Sequence, residues 1–171
     1  MKPRYLWLFL ILSCSKEGDL GVNTGFYGDQ SGTDIVAIQS ENGRKLWLLR
    51  ADSMFQAGDT IRLKKVELEF FNKYGKSQSV LHADSGVYFQ ESGNMVGMGH
   101  VEVLGNDGSF MRTKTLTYSK TDSLIYTEDS VYIKSKDQEV WGIGLRSDPG
   151  LRRIEVVKQV RGHGSDQRWE K

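Results

Sequence analysis

A single cysteine and only two prolines in 171 residues set the first limits. One thiol can make neither an internal disulfide nor a zinc cluster, so Cys14 matters by its position. No apolar run reaches the about 20 residues that a spanning helix needs. Alanine is sparse, and few windows keep a helical apolar period. Glycine, at 19, is abundant. That balance predicts strands and turns rather than helices. Charge of one sign is also missing: 23 basic residues face 22 acidic ones, for a net charge of +1. Removing residues 1–13 would take Lys2 and Arg4 and leave the chain near −1. Neither value, nor any run of like charges, fits the basic stripe of a nucleic-acid binder. The length suits one domain with a full core and some tail.

The N-terminus is an address. Lys2 and Arg4 precede eight largely apolar residues, Tyr5 to Leu12, and then Ser13-Cys14. The run is too short to be a stable span and fits the apolar region of an export signal. Its ending, Ile11-Leu-Ser-Cys14, resembles the lipobox of bacterial lipoproteins. That resemblance implies cleavage before Cys14 and lipidation of its sulfur; an ordinary signal peptide with an incidental cysteine is the alternative. Several acyl chains, each buried CH2 adding about 0.8 kcal/mol, would anchor the chain stably. Residues 14–33 are rich in Gly, Ser, Asn and Asp and read as a flexible tether. Fully extended, such a stretch spans on the order of 65 Å.

From residue 34 to 162 the chain repeats itself. Leu49-Arg-Ala-Asp-Ser53 returns as Leu81-His-Ala-Asp-Ser85, 32 residues later. Ala83, Thr113 and Gly142 lie 30 and 29 residues apart, and so do Gly86, Leu116 and Leu145, and Val101, Val131 and Val160. Each unit holds two strand-like runs parted by polar turns such as Asn106-Asp-Gly108 and Asp148-Pro-Gly150. Repeats of this size bury a core only by stacking. Period-2 alternation then sorts the faces. Trp47, Leu49 and Ala51 share one face. Val66, Leu68 and Phe70 oppose Glu67 and Glu69, and Val131 and Ile133 oppose Tyr132 and Lys134. One apolar face per strand predicts a curled sheet, or two facing sheets, around a single interior. Residues 163–171 read as a polar tail.

Chemistry-bearing motifs are scarce. Asp84-Ser-Gly86 has no second triplet to share a proton with, as aspartic-protease chemistry demands, and reads as a turn of the repeat. His82, His100 and His163 lack metal-ligand spacing. Gly97-Met-Gly99 lacks the third glycine and following helix of a dinucleotide loop and reads as a strand kink. No Walker motif, nucleophile elbow or HExxH occurs. No catalytic residue, metal or cofactor is expected. Trp47, Trp141, Tyr88, Tyr118, Tyr126 and Tyr132 read as packing aromatics, with a carbohydrate-binding stripe as the alternative.

Ala83-Asp-Ser-Gly-Val-Tyr88, Gly97-Met-Gly-His-Val-Glu-Val103, Gly108-Ser-Phe-Met-Arg-Thr-Lys-Thr-Leu-Thr-Tyr118, Trp141-Gly-Ile-Gly-Leu145 and Val160-Arg-Gly162, in that order and spacing, resemble the LptC family of lipopolysaccharide-export proteins, related to LptA and the OstA-like domain. The resemblance implies an all-β fold, a twisted jellyroll open along one side. It implies an interior that holds the acyl chains of lipid A, here Leu49, Val66, Leu68, Phe70, Leu81, Val101, Val103, Met111, Leu116, Tyr118, Val131, Ile133, Ile143 and Leu145. It also implies a periplasmic protein held at a membrane, seated on the inner-membrane lipopolysaccharide ABC transporter and passing cargo to an LptA-like jellyroll by edge stacking. Many members are held by a transmembrane helix, whereas this leader is short and carries a lipobox. The inner membrane is favoured and the outer membrane remains open. The strand carrying Ile154, Val156, Val157 and Val160 is either the docking edge or the internal end of the sheet. A structural or protein-binding surface lipoprotein without lipid cargo is the other functional reading.

Overall fold

The computed structural model describes residues 30–164. The leader, Cys14, most of the tether and most of the tail lie outside the described residues. Nine strands follow in chain order: β1 (Gln30–Glu41), β2 (Arg44–Ala57), β3 (Thr60–Phe71), β4 (Ser77–Phe89), β5 (Met95–Gly105), β6 (Phe110–Ser119), β7 (Leu124–Lys134), β8 (Gln138–Ser147) and β9 (Ile154–Gly164). Each pairs antiparallel with its chain neighbours in one sheet ordered β1 to β9. The domain is all-β, as its composition predicts. Strand β1 starts four residues ahead of the expected boundary at 34, and β9 runs two residues past 162.

Turn chemistry sets the register locally. Asn42 and Gly43 both take positive φ, 51° and 73°, which matches the two-residue hairpin whose twist suits the flanking strands. Inward side chains then line up across the sheet. Ala37, Leu49, Leu68, Leu81, Val103, Met111, Ile133 and Val140 are successive cross-strand partners from β1 to β8.

A second feature crosses the sheet at mid-strand. The ladder is interrupted between His82 and Ser85, Met98 and Val101, Arg112 and Thr117, Thr127 and Ser130, and Trp141 and Ile143. Asp34, Lys65 and His100, with Gly99 and Gly144, take positive φ along the same line. Aligned bulges bend strands and re-aim side chains. The sheet therefore creases there into two leaves. Outward polar pairs mark the crease: Lys65 with Asp52 and His100 with Asp84, both at 2.6 Å, and Thr115 Oγ1 donating to Asp129 Oδ2 at 2.6 Å. These exposed ion pairs contribute little stability. The backbone geometry matters more. A Cβ on Gly99, at φ +72°, would sit 2.6 Å from Asp84 Oδ2. Gly99→Val is expected to cost about 1–3 kcal/mol, read as a lower urea midpoint at unchanged slope.

The leaves close on each other. Rings meet between strands that are not neighbours in the sheet: Phe70 with Tyr118 at 5.2 Å and Trp47 with Tyr88 at 6.0 Å. Each pair joins one leaf to the other. The result is one core, with Val101, Met111 and Leu145 fully enclosed.

Candidate functional site

The interior between the leaves is the natural candidate site. Leu49, Val66, Leu68, Phe70, Leu81, Val101, Val103, Met111, Leu116, Tyr118, Val131, Ile133 and Leu145 all lie buried in the core cluster. Ile143 does not. It is half-buried outside that cluster, a correction to the expected face. Counting back by two from Leu145 fails because Gly144, at φ +73°, belongs to a bulge that slips the alternation. Gly142 points inward instead, and a Cβ there would overlap Val156 Cγ1. The slip recurs in β3, where it brings in Leu63, which a single-phase reading from Val66 misses; Ala83, Met95 and Ile125 also lie in the core, in phase with Leu81, Val101 and Val131.

The repeat landmarks fall on equivalent inward positions. Ala83, Thr113 and Gly142 sit at the crease, and Gly86, Leu116 and Leu145 lie just beyond it, all buried. The repeating unit is thus one hairpin carrying one bend.

Leu49, Leu63, Leu68, Leu81, Met95 and Leu116, from both leaves, surround the space left between β2 and β6. The void there is about 20 Å3 and wholly apolar, about one water molecule's worth. The closed interior is filled by its own side chains, and anything larger needs the leaves to part. No ionised group lies among the core residues. The two phenols at its margin stay protonated: burial, then the nearby Asp59 carboxylate, pushes Tyr88 up, and burial, then Glu41, pushes Tyr118 up.

A turn clasps the open side. Residues 148–151 leave the tip of β8 on one leaf and reach the start of β4 on the other. Ser79 Oγ donates to the Pro149 carbonyl, and Gln78 Nε2 donates to Asp148 Oδ2 at 3.2 Å. Leu151, at φ 55°, drops its side chain into the core. No sequence signal short of the fold picks out Leu151, because it belongs to a turn held by Gln78 and Ser79, 70 residues before Asp148 and Pro149.

Among the described residues, strands β1 and β9 pair on one side only. Ile154 and Val156 pack against the core, and Val157 is 52% exposed. The side chain of Val160 lies outside the described residues. On β1, Val36 and Ile38 are also exposed. Both edges thus offer unpaired backbone groups that a further strand can satisfy.

The remaining motifs gather no site. Asp84 and His100 form an exposed pair on the crease, and Ser85 Oγ donates to the Met98 carbonyl rather than to His100. Among the described residues no three His, Cys, Asp or Glu side chains converge as metal ligands. None of the described residues forms a helix long and apolar enough to cross a membrane.

No match is found among curated proteins. The family model for lipopolysaccharide-assembly, LptC-related proteins matches residues 29–165, a span that takes in every strand of the creased sheet. With that match added to the hairpin repeat and the apolar interior, the chain belongs to the LptC-related family of lipopolysaccharide-assembly proteins.

Proposed function

We propose that the two leaves part to take the acyl chains of lipid A and pass them to the next jellyroll protein across an open edge. The observation that carries this reading is the apolar row from Ala37 to Val140, which crosses eight strands without a charged side chain. Such a row gives acyl chains a continuous apolar path from near one edge toward the other. Burial favours them by about 25 cal/mol per Å2. The filled resting interior makes loading an exchange: core side chains trade contacts with each other for contacts with lipid. The crease supplies the line about which the leaves move.

Transfer follows from the edges. Strand β9, with Ile154, Val156, Val157 and Val160, would receive a strand of an LptA-like partner by backbone pairing. The other edge, β1, faces the N-terminal side, where a lipidated Cys14 would hold the domain at a membrane beside the inner-membrane ABC transporter. The family's place in lipopolysaccharide transport fits a periplasmic domain.

The test is photocrosslinking to lipid A with a probe at Leu116 or Val131, compared with one at outward-facing Arg112. Adducts are expected at the two interior positions alone. Adducts at none of the three would favour the second reading, a protein-binding lipoprotein without cargo, which the small void in the closed state supports. Depletion in the native bacterium separates the two further, since only a cargo carrier should lower surface lipopolysaccharide.

A further inference from the structure

The clasping turn has an outer face as well as an inner one. While Leu151 sits in the core, Leu124, Arg146, Ser147, Asp148, Arg152, Arg153 and Glu155 line a solvent-facing pocket of about 560 Å3 on the other side. Three guanidinium groups and two carboxylates share it. One carboxylate is spent within the turn. Asp148 Oδ1 accepts from the backbone N–H groups of Arg152 and Arg153 at 3.0 and 2.9 Å, and its Oδ2 accepts from Arg152 Nε at 2.9 Å. Burial alone would raise the Asp148 carboxyl, but these donors outweigh it and hold it below the usual carboxylate range. It stays ionised and pins the turn. Arg146 and Arg153 are then left facing Glu155, which stands opposite Arg146 in the β8–β9 ladder.

We infer that this pocket binds the phosphate of a lipid headgroup, with Arg146 and Arg153 as its principal ligands. Three features point to that ligand class. Paired guanidinium groups suit the geometry and charge of a phosphate monoester. Leu124, 37% exposed at the pocket wall, suits a molecule that is apolar on one side. The turn that brings Arg152 and Arg153 to the pocket also sends Leu151 into the core, so one amphipathic molecule could cross this end of the sheet with its chains between the leaves and its phosphate among the arginines. The inference rests on the lipid-cargo reading and adds to it a place for the charged end.

The test uses the full chain and the double variant Arg146→Gln with Arg153→Gln. Both residues are exposed, so the variant should melt at the wild-type temperature. Affinities are measured for lipid A, for enzymatically dephosphorylated lipid A, and for inorganic phosphate alone. The wild type is expected to prefer the phosphorylated lipid by about tenfold. The double variant should lose that preference and bind dephosphorylated lipid as before. Equal wild-type affinity for the two lipids, or a preference that survives in the variant, would overturn the site and leave the cargo reading standing. Inorganic phosphate binding as tightly as lipid A would reassign the pocket to a free anion and likewise overturn it. Failure to bind either lipid would remove the cargo reading and this inference together.

Discussion

Met111→Asp is expected to leave no folded domain at neutral pH. Met111 is fully enclosed and stands in the apolar row between Val103 and Ile133. A carboxylate there has no partner among the core residues, and an uncompensated buried charge belongs to the class of changes costing more than about 4–5 kcal/mol. Total stabilities are about 5–15 kcal/mol, so one such change consumes most of the margin. The expected readout is loss of near-ultraviolet circular dichroism and rapid proteolysis. The defect should shrink as pH falls, because burial raises a carboxyl pKa and the neutral form is tolerated better. Met111→Leu keeps the volume and should cost less than about 1.5 kcal/mol. Glu128→Ala, exposed on β7, should stay within about 0.5 kcal/mol. Wild-type stability in Met111→Asp would mean that this interior is wet, and the acyl path would lose its physical basis.

Gly142→Leu is expected to detach β9 while the rest of the sheet survives. A side chain at 142 runs into Val156 Cγ1, with the Lys158 carbonyl 3.3 Å from the new Cβ. Overpacking of this kind costs about 1–3 kcal/mol. Because β9 pairs only with β8 among the described residues, that cost falls on an edge element able to open by itself. Amide hydrogen exchange at Glu155–Lys158 should accelerate by roughly 5- to 150-fold, the equivalent of 1–3 kcal/mol, with β5 amides unchanged. The milder Gly142→Ala should be rescued by Val156→Ala, which removes the obstructing methyl groups. If β9 receives the downstream jellyroll, capture of that partner should fall in Gly142→Leu and recover in the Ala/Ala pair. Unaltered exchange in β9 would show that close approach at Gly142 is dispensable.

Much of this architecture is legible in the chain. The 30- and 29-residue offsets mark hairpins because Ala83, Thr113 and Gly142 occupy the same inward crease position. Alternation works on each side of the bend: Val66, Leu68 and Phe70 all reach the core. It fails across the bend. A bulge shifts the inward parity in β2, β3, β4, β6 and β8, so alternation carried across it puts Ile143 on the wrong face and misses Leu63, while Met95 and Ile125 keep the phase of Val101 and Val131 in β5 and β7. The glycines Gly99 and Gly144 hint at the bulges, but Lys65 and His100, also at positive φ, carry no such mark. Gly97-Met-Gly99 was readable as a kink because two glycines stand together. The clasp was not readable, since Pro149 and Ser79 meet only once both leaves exist. The arginine pocket escaped for a related reason: Arg146, Arg152 and Arg153 look like ordinary solvated charges until the Asp148 turn gathers them.

The strict chain-neighbour order of the sheet bears on how the protein comes into being. Every ladder joins a strand to its immediate predecessor or successor, so each hairpin can form on the edge left by the one before it, with little loop-closure entropy to overcome. A chain threaded through an export channel N-terminus first could lay down its sheet in order of emergence, without waiting for its far end. The clasp obeys a different clock. Residues 148–151 must appear before Ser79 and Gln78 can be bridged, so the nascent domain passes through a stage with seven or eight strands paired and its leaves unfastened. The newborn domain is therefore open first and closed late, with its apolar faces exposed until the turn that follows β8 arrives.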